Sequence, residues 1–104
     1  MDFSYLNSIS DGDLDFVQQF VSTFENNTAN IVASMKKAYE NGSKDDLKKL
    51  AHQLKPSLQM LELETLQISV DIQDDPEAAT AETIAAIEKD CLDAVVALKA
   101  EYNL

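Results

Sequence analysis

Apolar residues recur along this chain at three- and four-residue intervals, so it reads as helices throughout. Leu14, Val17, Phe20, Val21 and Phe24 give the first clear helix an apolar face, opened by Asp11-Gly12-Asp13. Asn26-Asn27, weak helix formers, predict a break or bend. A second helix follows with Ile31, Val32, Met35, Ala38 and Tyr39 on one side, and Asn41-Gly42 ends it. Ser43 starts a third, and with Asp46 three residues on it resembles a capping box in which Asp replaces the usual Glu. That helix runs to about Leu61. A shorter one near 63–73 carries Leu63, Leu66 and Val70 on one side and Ile68 and Ile72 on the other, which suits an element covered by two neighbours. Asp74-Asp75-Pro76 is a turn, and Pro76 and Thr80 compete to open the last helix, whose stripe is Ile84, Ile87, Cys91, Ala94/Val95, Leu98 and Tyr102. Four main amphipathic helices joined by short turns pack most simply as an all-α, antiparallel up-down four-helix bundle, with the first ten residues available for a short helix capping one end.

The third helix holds the only histidine of the chain, in Leu47-Lys48-Lys49-Leu50-Ala51-His52-Gln53-Leu54-Lys55-Pro56-Ser57. With Leu47 at zero and ~100° per residue, Leu50, Ala51, Leu54, Leu58 and Leu61 fall within roughly 60° of it, and His52 falls near 140°. A core histidine would lie on the leucine stripe, and this one lies on the wet face with Lys48, Lys55, Gln59 and, further round, Pro56. Periodicity alone also fits an incidental surface histidine. Lys55 follows His52 by three residues and Lys48 precedes it by four, so a phosphoryl group on the imidazole would meet ammonium groups on two sides.

Composition narrows the classes. A chain of 104 residues with 45% hydrophobic content is one domain, 1–104, with a real core. Two glycines, two prolines and no tryptophan argue against an all-β fold. The net charge of −11 repels nucleic acid and anionic lipid and favours a soluble monomer. That charge is uneven: residues 43–57 hold four of the eight lysines against Asp45 and Asp46, a formal +2 that leaves −13 for the remainder. A basic island around the histidine suggests that a small anion is handled there; a lysine-lined solvated face is the plainer alternative. One cysteine, Cys91, allows no internal disulfide and lies in register with the core. No run approaches a membrane span, and Met1-Asp2-Phe3-Ser4-Tyr5 lacks the features of a signal peptide, so a cytoplasmic location is expected. One histidine and one cysteine on different helices exclude most transition-metal sites, and no Gly-rich loop marks an ATP site.

The segment Ala51-His52-Gln53-Leu54-Lys55-Pro56-Ser57 resembles the signature of histidine-containing phosphotransfer (HPt) domains: histidine, any residue, leucine, lysine, a small residue, then serine or alanine. The likeness extends over nearly the whole chain in length and helix order. It implies a four-helix bundle whose histidine is phosphorylated on a ring nitrogen and relays phosphoryl groups between receiver-domain aspartates in multistep two-component signalling. By position, His52 is the phospho-acceptor, Lys55 the lysine that neutralises the phosphoryl group, and Ser57 the small position behind it. Three departures stand out. Pro56 occupies a position commonly glycine, where it removes the amide that would bond the His52 carbonyl and predicts a kinked but continuous helix. Gln59 and Met60 stand where small residues are frequent, and Gln59 is in reach of His52 on the wheel. The glutamine that many members carry about 22 residues after the histidine falls on Asp74 here, with Gln73 one short.

The expected chemistry is reversible phosphoryl transfer from a receiver aspartyl phosphate to His52 and onward, with no intrinsic cofactor and with Mg²⁺ and most catalytic groups on the partner receiver. Response-regulator receivers are the implied partners, with a hybrid histidine kinase as a further candidate. The chain would be a phosphoryl carrier without kinase activity of its own. Phe16, at the edge of the first apolar face, is a candidate docking residue and equally an edge-of-core residue. Two other readings stay open: a module that binds a receiver without accepting phosphate, and a purely structural helical bundle.

Overall fold

The computed structural model describes all residues, Met1–Leu104, and contains helices and no strand. In order these are α1 (Ser4–Ser10), α2 (Leu14–Glu40), α3 (Lys44–Met60), α4 (Leu66–Asp74), one 3₁₀ turn at Pro76–Ala78, and α5 (Ala81–Tyr102). The break expected at Asn26-Asn27 does not occur: α2 is continuous over 27 residues. At 1.5 Å per residue that is ~40 Å, nearly the full 43 Å of the long axis. Val17, Val21, Phe24, Thr28, Ile31, Met35 and Ala38 are all buried, and their alternating spacing of four and three carries one stripe straight through the two asparagines. Each asparagine costs at most ~0.7 kcal/mol of helix propensity, less than the burial of one aliphatic side chain gains.

The helix ends are built differently from the sequence pattern. Asp13 caps α2 by accepting from the Phe16 N–H at 3.2 Å. The capping box expected at Ser43 is absent: the Ser43 hydroxyl donates to the Asp46 carboxylate at 2.8 Å, and no backbone N–H is capped. The shorter Asp side chain does not reach back as Glu would. At the far end of α3, Glu62 adopts φ 50°. The N–H groups of Glu62 and Leu63 return to the carbonyls of Gln59 and Leu58 at 3.1 and 3.0 Å. This is a Schellman closure with a non-glycine residue in the left-handed position. It reverses the chain so that α4 starts at Leu66, later than the 63–73 pattern suggests. Between the two candidate starts of the last helix, Thr80 is the cap, in a reciprocal box with Thr83, and Pro76 opens the 3₁₀ turn.

Helix α2 packs along α5 and α3, α3 packs along α4, and α4 touches α5 more lightly. Ion pairs Lys36–Glu88 (2.7 Å) and Lys99–Glu25 (3.5 Å) set α2 and α5 antiparallel. The short α1 lies on α2, held by the Asp2 N–H to the Leu61 carbonyl at 2.8 Å and by Tyr102 bonding Asn7. One contiguous apolar core runs through all of this, from Leu6 to Leu98. No helix is long and apolar enough to cross a membrane.

Cys91 sits in that core, as its register implied, and is 4% exposed. Burial, reinforced by the nearby Asp90, pushes its thiol up to about 11 from an ordinary 9.0. The unfolded chain therefore gives up this proton first. The stability from a neutral buried thiol is complete below about pH 9 and is lost as pH rises toward about 11, by on the order of 2 kcal/mol. Urea titrations at about pH 8 and 11 should show that loss in the wild type and a smaller one in Cys91→Ala, each compared with its own lower-pH value.

Helix α3 continues through Pro56, in agreement with the expectation of an unbroken helix. The proline has no N–H for the His52 carbonyl, and it is exposed, so no core packing compensates. Pro56→Ala is expected to raise stability by about 2 kcal/mol, the interior-helix cost of proline less the entropy that alanine restores to the unfolded chain. A lower urea midpoint in the variant would contradict this.

Candidate functional site

The outward face of α3 is fixed from beneath. Leu47, Ala51, Leu54 and Leu58 are all buried, at 0–3% exposure, which locks the rotation of the helix and leaves His52 exposed on the opposite side. Lys48, Lys49, His52 and Gln53 of α3 and Gln73 of α4 line one open concavity. Gln73, one residue short of the position where the HPt pattern carries its glutamine, therefore shares this concavity with His52. It does so because α4 lies against α3 with Ser69 and Ile72 buried between them, which turns Gln73 toward the edge of the contact.

The other predicted site residues separate. Lys55 is half-buried one turn beyond His52, outside that concavity. Pro56 and Gln59 line a second open groove, of about 430 Å³, with Met60, Glu62 and Asp2, Ser4 and Tyr5 of the N-terminal segment. Ser57 is half-buried and turned toward α2, where its hydroxyl oxygen accepts from Asn27 Nδ2 at 3.4 Å. Asn27 is thus a point of attachment between helices where the sequence suggested a break. Phe16 is exposed on the first turn of α2 and lines neither groove. Asp74 and Asp75 serve the turn: Asp75 accepts from the Glu77 N–H at 3.0 Å. No three His, Cys, Asp or Glu side chains come together in a way that could hold a metal ion.

The electrostatics of this face come from what is left unpaired. Lys36, Lys44, Lys89 and Lys99 each have a carboxylate partner, Glu88, Glu77, Asp93 and Glu25 respectively. Lys37, Lys48, Lys49 and Lys55 have none within 4.0 Å. Three of these four lie on α3 within one turn of His52. The fourth, Lys37, lines an adjoining concavity with Lys49 and Gln53. In a chain with 19 carboxylates, free cations gathered on one flank leave local positive charge for an incoming anion.

Gln73 adds a free polar group. Its Oε1 is shut away from solvent without a donor, and its Nε2 has no partner either. The amide therefore has no hydrogen-bond partner within the protein. Three contributors escaped the sequence reading: Lys49 and Gln53 as wall residues, and Ser69, a polar residue in the buried register of α4. Compared with protein-family models, with curated proteins and with solved structures, the chain gives no match.

Proposed function

We propose that this protein is a histidine phosphotransfer protein of the HPt type, in which α2, α3, α4 and α5 form an antiparallel up-down four-helix bundle and α1 caps one end. The carrying observation is the concavity that holds the sole imidazole, exposed on a rigidly anchored helix, with Lys48 and Lys49 free of carboxylates and the unpartnered amide of Gln73. A ring nitrogen of His52 attacks the phosphorus of a receiver aspartyl phosphate. The N–P bond forms as the acyl O–P bond breaks, and the aspartate leaves as a carboxylate. The donor is already activated, so the carrier's share is positioning and charge neutralisation. Lys55 and Lys48 supply the cations, Gln73 supplies an amide to a phosphoryl oxygen, and Gln59 stands at the rim of the neighbouring groove. The receiver brings Mg²⁺; the carrier needs no cofactor and has no kinase activity. Its partners are response-regulator receivers and a hybrid histidine kinase, met in the cytoplasm by a monomer; its acidity keeps nucleic acid and membranes away.

One observation favours a second reading. Pro56 lies inside α3, four residues after His52, and strips the His52 carbonyl of its in-helix partner. A turn altered there would suit a module that docks on a receiver without taking the phosphate. The two readings separate when the protein is mixed with a receiver phosphorylated on its aspartate. Label that moves onto this chain, and off again when fresh receiver is added, marks a relay. A stable complex without label marks the docking module.

A further inference from the structure

Ser69 is the most deeply buried polar residue of the protein, at 0% exposure. A Ser or Thr within a helix commonly returns its hydroxyl to a carbonyl of its own helix, as Thr28 does to Phe24 at 2.8 Å. Ser69 does not. Its N–H bonds the Thr65 carbonyl at 3.2 Å, while its hydroxyl leaves α4 and donates to the Ala51 carbonyl of α3 at 2.7 Å. No other hydrogen bond joins these two helices.

Both ends of that bond lead to the candidate site. Ala51 immediately precedes His52. Gln73 is one turn on from Ser69 along the same face of α4, and it lines the concavity with His52. The gripped turn is also the one that Pro56 leaves short of an internal restraint, because the His52 carbonyl has no N–H four residues on. What remains to hold its rotation is the leucine stripe beneath and the Ser69 hydroxyl beside it.

We infer that Ser69 is a positioning residue: its bond to the Ala51 carbonyl fixes the His52 turn against α4 and so sets where Gln73 stands relative to the imidazole. The geometry stands by itself; its consequence for transfer rests on the phosphotransfer reading above.

Ser69→Ala tests it, since alanine fits the space and leaves the Ala51 carbonyl within its own helix. At saturating phosphorylated receiver, transfer to His52 is expected to slow roughly ten- to a hundredfold with little change in half-saturating concentration. In a Gln73→Ala background the same substitution should add little, because the group it positions is already gone. Val32→Ala, a destabilising change in the core of α2, should leave transfer by the folded protein unchanged. A wild-type rate in Ser69→Ala, losses that simply add, or an equal loss in Val32→Ala would overturn the inference. A second measurement needs no phosphoryl transfer. The NMR shift of the Gln73 side-chain amide should respond to His52→Ala in the wild type and not when Ser69 is alanine; no response in the wild type, or the same response in both, overturns it. If the wild type takes no label yet shows this Ser69-dependent response, the phosphotransfer reading fails and the positioning role stands.

Discussion

Glutamine in place of His52 is expected to abolish phosphoryl acceptance completely while leaving the helices and their stability intact. His52 is exposed and makes no hydrogen bond or ion pair, so its removal opens no cavity and strands no partner. Glutamine is a better helix former than histidine, and the stability change should stay within ~0.5 kcal/mol. Its amide has no nucleophilic nitrogen, and no second imidazole exists to take over. The only thiol, Cys91, is buried and held neutral. Label counted on the isolated chain after exposure to phosphorylated receiver, beside a thermal melt of the same sample, reads both halves. Residual label in a fully folded variant would place the acceptor elsewhere.

Lys55→Gln should slow phosphoryl transfer about ten- to a hundredfold. An ammonium that meets charge developing on a transferring group acts most strongly where water is partly excluded, and Lys55 is half-buried where Lys48 is exposed. Three residues after His52, it stands ~5–6 Å away between Cβ atoms. Lys48→Gln should therefore cost less. Lys99→Gln makes the same change of net charge at a lysine paired with Glu25 on another face, and it should leave the rate as it was. Rapid-quench rates for the three variants decide the matter: if Lys99→Gln slows transfer as much as Lys55→Gln, net charge is responsible and Lys55 has no special place.

What could be seen in the sequence follows from which interactions are periodic. The stripes of α2, α3 and α5 repeat every three or four residues, so the helices, their faces and the outward placement of His52 were legible. Lys48 and Gln73 line the same concavity as His52. The misreadings all involve polar groups, whose partners are set by side-chain reach and by packing rather than by periodicity. Asn26-Asn27 looks like a break because its local propensity is weak, while the buried stripe on both sides and the reach of Asn27 to Ser57 decide otherwise. Ser43 and Asp46 match a capping pattern whose geometry needs a longer side chain. Ser69 is legible only as an oddity, a serine in an apolar register; that its hydroxyl seeks Ala51 is a fact of packing between α3 and α4. The separation of Pro56 and Gln59 from His52 depends on where the N-terminal segment folds back, which no local pattern shows.

The most direct test of the central claim is ³¹P NMR of the intact protein after exposure to a receiver phosphorylated on its aspartate. An N–P resonance that appears with the wild type, disappears on acid treatment and is absent from His52→Gln is the predicted result. A spectrum that shows only aspartyl phosphate decaying to inorganic phosphate, or an N–P signal that survives in His52→Gln, would contradict it.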